Sequence, residues 1–434
     1  MRVFVTDGAE RPALAITRSL GRRGVDVFVG ADESVSLASS SRYCRPHVTY
    51  PSPYRDTRLF HRFLADFVER QRIDVLIPVS DVTTWLVTQN RDAFRDCALA
   101  VPPFEAFDFV SDKSKLLQRA AKCGIPIPRT HFVADGAGVS ELASQLGYPA
   151  VVKPARSRIA TSDGWTATTV RYAHSAGDLI RLYRETDCLA SHPSMIQERI
   201  AGPGMGVFVL CDQGQVRASF AHRRLRERPP SGGVSVLCES VALDQRLRDQ
   251  AVRLLGPLGW HGPAMLEYKQ DRRTGQAVLM EVNGRFWGSL QLAIDAGVDF
   301  PYLTYQLALG RAPHDEPSYK VGVRSRWLLG DLDQLYLRVC RSGRDLPPGA
   351  PSPSGAVMGF LAGFSPSVKS QVFQAGDPGP AIREAVQYVR ELGVSAMRRL
   401  RMRIAASSSR LSAAGPGGVS GQVLMNDRRR RHGG

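Results

Sequence analysis

The chain has no run of about 18 or more apolar residues, the length a helix needs to cross a bilayer, so no transmembrane helix is expected in its 434 residues. It also has no Cys-x-x-Cys pair. Its seven cysteines, at 44, 97, 123, 188, 211, 238 and 340, are odd in number and scattered. That pattern argues against a disulfide framework or a zinc site, and for reduced thiols in a cytoplasmic protein. The start, MRVFVTDGAERP, reaches a turn too soon to hold the apolar core of a leader peptide, and reads as a buried strand. TDGAERP does not fit G-x-G-x-x-G either, which removes the main support for a nicotinamide-binding reading.

Acidic residues are in deficit: 41 Asp and Glu stand against 57 Lys and Arg, a net charge of +16. The excess is unevenly placed. Residues 394–434 hold nine Arg and one Asp, so that short stretch alone carries +8. It has few large apolar residues to bury, and is expected to be disordered from 406 to 434. Its Arg-rich end suits a nucleic acid or an anionic membrane, a function class distinct from catalysis. The remaining +8 is diluted over the rest of the chain, so nucleic acid is not an expected partner of the folded part. A hydrophobic content of 43% is ordinary for a globular protein, and the length allows two to four domains.

Residues 1–110 alternate strand-like and helix-like segments: RVFVTDG, ALAITRSLGRRG, VDVFVG, LFHRFLADFVERQR, DVLIPVSD and ALAVPP. This alternation predicts a parallel sheet with helices on both faces. Ser80 and Asp81 follow a strand at the end where ligands approach such sheets, although a helix-capping role for the pair fits equally well. Ser111–Cys123 predicts a helix capped by Ser111. Lys113 in its first turn opposes the helix dipole, as if placed for an anion.

The densest chemistry lies in Ala264–Ser289, AMLEYKQDRRTGQAVLMEVNGRFWGS. Two strand-like runs flank a turn whose Gly275 can take a positive φ, which predicts a β-hairpin. Alternation puts Leu266, Tyr268, Val278, Met280 and Val282 on a core face, and Glu267, Lys269, Leu279, Glu281 and Asn283 on the other. A hairpin centred near residue 274 sets Glu267 across from Glu281. Two carboxylates about 4 Å apart repel by roughly 4 kcal/mol at an effective dielectric near 20, so a positive charge belongs between them. Oxygen ligands alone suit Mg²⁺ or a similar hard cation.

EVNGRFWGS, with Glu267 fourteen positions before Glu281, resembles the metal-binding core of the ATP-grasp ligases, in the branch of the carbamoyl-phosphate synthase large chain and the carboxylate–amine ligases. The resemblance implies that Glu267, Glu281 and Asn283 hold Mg²⁺ (or Mn²⁺), while Arg285 contacts phosphate or an acyl phosphate. Gly284 departs from the proline common there. GYPAVVKPA is similar to the family segment whose lysine, here Lys153, reaches the ATP phosphates, and Lys113 resembles a second nucleotide-contacting lysine. The hinge of SMIQERIAGPGMGVFVL would hold adenine through Gln197, Glu198, Arg199 and Ile200. Gly204 stands where many relatives carry a ribose-gripping Glu. The arginines of QVRASFAHRRLRERPPSGGVSV lead into a segment that resembles the family's substrate-covering loop, an arginine-bearing lid over the transferring phosphoryl group.

The resemblance implies an α/β and α+β fold: a pre-ATP-grasp domain with a parallel sheet (1–111), a two-lobed ATP-grasp domain (112–315) and a helical C-terminal region (316–405). It implies an ATP-dependent ligase that joins a small-molecule carboxylate to an amine through an acyl phosphate, with bicarbonate activation as the alternative chemistry and a homodimer allowed.

Overall fold

The computed structural model describes residues 1–161, 164–340, 346 and 349–394. Residues 1–384 form one compact unit and 385–434 a second. In the second unit, residues 385–394 are helical. Residues 395–405 of the helix expected near 381–405, and the basic tail at 406–434, lie outside the described residues.

The N-terminal sheet contains β1 (Arg2–Val5), β2 (Asp26–Ala31), β3 (Cys44–Thr49) and β4 (Val75–Ile77), ordered β3-β2-β1-β4 and all parallel. Val3, Val5, Val27 and Val29 face one apolar layer, and Phe4 and Phe28 face another. Helices therefore cover both sides, as parallel sheets require. Two local expectations change. ALAVPP forms no strand, only a single parallel bridge from Ala98 to Val75. The third strand is instead CRPHVT, which alternation did not mark because its side chains are half-buried or exposed and include a proline.

The next sheet holds β5 (Thr130–Val133), β6 (Ala150–Pro154), β9 (Arg171–Ala173) and β10 (Ser194–Glu198), ordered β5-β10-β6-β9. Beside it stands a small hairpin of β7 (Arg158–Thr161) and β8 (Gly164–Ala167). The largest sheet is β15-β14-β11-β12-β13-β16-β17. Its members are β11 (Gly204–Asp212), β12 (Gln215–Arg228), β13 (Val234–Ser240), β14 (Gly262–Gln270), β15 (Ala277–Asn283), β16 (Arg324–Arg326) and β17 (Val368–Ser370). This mixed sheet, the parallel N-terminal sheet and the covering helices give the α/β and α+β architecture. The helix Leu328–Cys340 follows β16 directly.

Three readings of the hairpin and its neighbours need correction. The helix Lys113–Lys122 is capped by Asp112, which accepts from the Ser114 and Lys115 amides at 3.0 and 3.1 Å; Ser111 ends the preceding helix. Strand β15 carries a bulge, where the pairing jumps from Glu267–Glu281 to Tyr268–Leu279. One extra residue reverses the faces beyond it, so Leu279 joins the core with Leu266, Tyr268 and Val282. Val278 and Met280 move to the other face and pack with Ile200. Finally, the segment from His222 to Arg228 belongs to β12 and is not a loop.

Candidate functional site

The hairpin β14–β15 places Glu267 directly opposite Glu281, as alternation predicts, with Met265 opposite Asn283. Glycine 275 closes the turn at φ 71°. On the other side of β14, Glu267 pairs with Gly206 of β11, which in turn pairs with His222 of β12. A Cβ at Gly206 would come 2.5 Å from the Phe208 ring and 3.0 Å from the His222 ring, so glycine leaves room for both. This row of short and polar side chains runs across β15, β14, β11 and β12 and underlies the candidate site.

Protein cations meet both carboxylates. Lys113 Nζ lies 3.2 Å from Glu281 and donates to Ser157 Oγ at 2.6 Å. Arg224 grips Glu267 with two hydrogen bonds, at 2.9 and 2.5 Å, and reaches Glu227 at 3.1 Å. Burial works against the Glu281 carboxylate, but Lys113 and Lys153 outweigh it and hold the group at about 2. Burial pushes Glu267 up, with Arg224 opposing and Glu281 adding to the rise. Lys153, at the end of β6, is pushed down by burial, and Glu281 offsets part of this. Lys153 and Lys113 thus converge on the same carboxylate from different elements.

Past the hairpin, Asn283 donates to Glu281 at 3.3 Å and accepts from Arg285 at 3.3 Å. Arg285 forms a fork with Asp81, at 3.2 and 3.1 Å. Asp81 opens the helix Asp81–Gln89, capped by Ser80, so the pair noted at the end of β4 serves both as helix start and as orienter of Arg285. Against burial, Asp81 raises the Arg285 guanidinium above its ordinary value.

Of the hinge residues, Gln197 and Glu198 end β10, and Arg199 and Ile200 follow it. Gln197 is buried and donates to Thr130 at 3.0 Å. The Glu198 carboxylate accepts from the amide and side chain of Arg129, at 3.1 and 3.2 Å, so this side chain is engaged within the protein. Arg199 lies over the Tyr172 ring at 5.5 Å. Ile200 forms an apolar wall with Val278 and Met280.

Sequence reasoning missed Arg224, Glu227 and His222 as distinct site residues, because a strand read as a loop blurs which arginine faces which way. On β12 the guanidinium groups are paired: Arg223 with Glu239, Arg226 with Asp331 at 2.6 Å and Arg228 with Asp333 at 3.0 Å. They brace the sheet and do not sit on a mobile lid. Only Arg224 turns into the cleft, over Gly204. A Cβ at Gly204 would come 2.6 Å from Glu227 Oε1 and 2.8 Å from Arg224 Cδ, so a side chain there would have to displace both. His222 is buried, its Nε2 lacks a hydrogen-bond partner among the described residues, and burial, with the nearby Arg224 charge, lowers its basicity.

The oxygen-only set of Glu267, Glu281 and the Asn283 amide suits a hard divalent cation. No group of three or more His, Cys, Asp or Glu side chains competes for a metal among the described residues. A cation arriving here would displace or share the grip of Arg224 and Lys113, which stand in for its charge.

Residues 190–330 match a family model described as ATP-grasp in the biosynthetic pathway with Ter operon. The carbamoyl phosphate synthase large chain of Thermotoga petrophila is 23% identical over 357 residues, covering 77% of this chain and 30% of that protein. The chain thus spans under a third of the length of this curated relative. Biotin carboxylase from Campylobacter jejuni, solved as a β,γ-ATP complex, superposes with a TM-score of 0.58 at 19% identity, covering 74% of each chain. An L-amino acid ligase from Bacillus licheniformis gives 0.55 at 18% identity, covering 73% and 75%. The ADP complex of an N5-carboxyaminoimidazole ribonucleotide synthetase gives 0.58 at 14% identity, covering 78% and 84%.

Proposed function

From the ATP-grasp fold of this chain, we propose that it is an ATP-dependent ligase that phosphorylates a carboxylate and passes the acyl group to an amine. The observation that carries the reading is the convergence of Lys113, Lys153, Glu267, Glu281, Asn283 and Arg285 on one cleft. Four cationic or amide groups gather around two carboxylates, an arrangement suited to a polyphosphate and its metal. Lys113 and Lys153 hold phosphate oxygens as compact point charges. Bound Mg²⁺, ligated by Glu267, Glu281 and Asn283, supplies neutralisation of the outer phosphates.

Each remaining role belongs to a side chain. Asp81 keeps the Arg285 fork aimed past Asn283, where the planar guanidinium meets the charge that develops on the transferring group. Ile200, Val278 and Met280 offer the apolar face against which a purine ring lies, and the backbone of Gln197–Ile200 offers its edge contacts. Glu198 holds the hinge through Arg129. Phosphoryl transfer needs little covalent help, so positioning and charge carry the catalysis.

With a competent acid, the expected products are ADP and phosphate. With hydroxylamine in place of the amine, a hydroxamate accumulates, and Lys153→Ala suppresses it. AMP and pyrophosphate as products would overturn the reading. A second acceptor, bicarbonate, is favoured by the likeness to carboxylase structures. ATP turnover that depends on bicarbonate and yields no hydroxamate would select it.

A further inference from the structure

Arg11 opens the helix Arg11–Gly21, where a cation is least welcome, because unpaired backbone N–H groups already make that end positive. No acidic residue stands in the first turn, and the side chain of the N-cap Glu10 makes no cap. The Arg11 side chain is half-buried, yet no carboxylate pairs with it among the described residues. Its guanidinium donates to the neutral Gln371 side chain and lies 3.9 Å over the Trp327 ring. Burial lowers it to about 10. Two turns along the same helix, Arg18, which is fully buried, is held by Asp377 at 2.8 Å. Where this fold uses a buried arginine structurally it supplies a carboxylate. At Arg11 it supplies a platform, with the charges of Glu10 and of Glu384, which accepts from Trp327, felt only without direct pairing.

The location connects this charge to the cleft. A Cβ on Gly288, three residues beyond Arg285, would come 2.8 Å from Arg11 Nη2, so the guanidinium abuts the loop that carries Arg285. Glu10 feels the charges of both Arg11 and Arg285. Its carboxylate accepts no hydrogen bond from a described residue. A buried guanidinium with unused donors is costly, and a planar oxyanion satisfies it with two parallel hydrogen bonds.

We infer that Arg11 is the oxyanion-binding residue of the acceptor-substrate pocket, taking a carboxylate or phosphate of the acceptor molecule, with Glu10 beside it for a donor group of that molecule. The word acceptor rests on the ligase reading above; the oxyanion site does not. Gln371 and Trp327, from the chain beyond the ATP-grasp motifs, then serve to aim Arg11, giving that region a part in substrate choice.

The test follows thermal stabilisation of the full chain by malonate or inorganic phosphate against sodium chloride of matched ionic strength. The wild type is expected to show saturable stabilisation by one oxyanion. Arg11→Gln should weaken it at least about tenfold, as loss of a charge-assisted pair worth 1.5–3 kcal/mol in general implies, and Arg11→Lys should keep part of it. A stronger response to malonate identifies a carboxylate, and a stronger response to phosphate a phosphate monoester. Gly288→Ala provides a second route, since its methyl group meets only the movable end of Arg11. It should fold and still weaken the response. Equal stabilisation of wild type, Arg11→Gln and Gly288→Ala, or none beyond chloride in the wild type, overturns the assignment. The readout requires no turnover, so absence of ADP release would sink the ligase reading without deciding this one.

Discussion

Glu267 and Glu281 face each other across one strand pair, yet each turns its carboxylate to a different cation, Arg224 for the first and Lys113 for the second. The repulsion that alternation predicts is real in register, and the protein answers it with charges drawn from β12 and from a helix far away in sequence. A metal would enter a site already balanced.

Glu281→Gln should therefore leave the fold intact and remove ATP turnover by about 10²-fold or more, the scale of losing one group that organises developing charge. ADP release and circular dichroism, measured together, check this. Turnover at the wild-type rate would show that Glu281 is no metal ligand.

Arg224→Met strips the counter-charge from two largely buried carboxylates, Glu267 and Glu227. Breaking such a network from one side costs about 3–5 kcal/mol. Mg²⁺ should restore more stability to this variant than it adds to the wild type, because the ion takes over the missing charge. Thermal melts with and without Mg²⁺ measure the difference. An equal metal effect on both proteins would contradict the proposed coordination.

Asp81→Asn keeps the shape of the residue and loses the charge that aims Arg285. Activity should fall about tenfold through kcat, with the melting temperature nearly unchanged, since the pair is only partly enclosed and exposed pairs contribute about 0–1 kcal/mol. A change confined to stability would make the pair structural.

Asp377 gives a pH test far from the cleft. Burial opposes its charge, but Ser41, the Arg42 amide and Arg18 outweigh burial and hold its carboxyl below the ordinary value of 3.8. A depressed folded pKa means that the contribution is complete above the unfolded pKa and is lost as pH falls through the folded one. The stability margin of wild type over Asp377→Asn should hold constant from neutral pH to about 5 and shrink below about 4. Denaturant midpoints at pH 7, 5 and 3.5 read it. A margin that grows on acidification would reverse the assignment.

What the sequence determined by itself was whatever short-range rules control. The period-2 pattern and the turn at Gly275 were enough to oppose Glu267 and Glu281, because register in a tight hairpin is local. The βα alternation was enough for the parallel N-terminal sheet. Tertiary structure decided the rest. One bulged residue exchanged Leu279 with Val278 and Met280, and turned an expected core face into an apolar wall beside Ile200. An arginine-rich run became a strand whose partners, Glu239, Glu267, Asp331 and Asp333, lie between 16 and 105 residues away. Arg11 carried no signal in the sequence, and only the fold brings Gly288, Trp327 and Gln371 together around it. No local pattern encodes such meetings, because the energy of a buried charge depends on what the whole fold brings within a few ångströms of it.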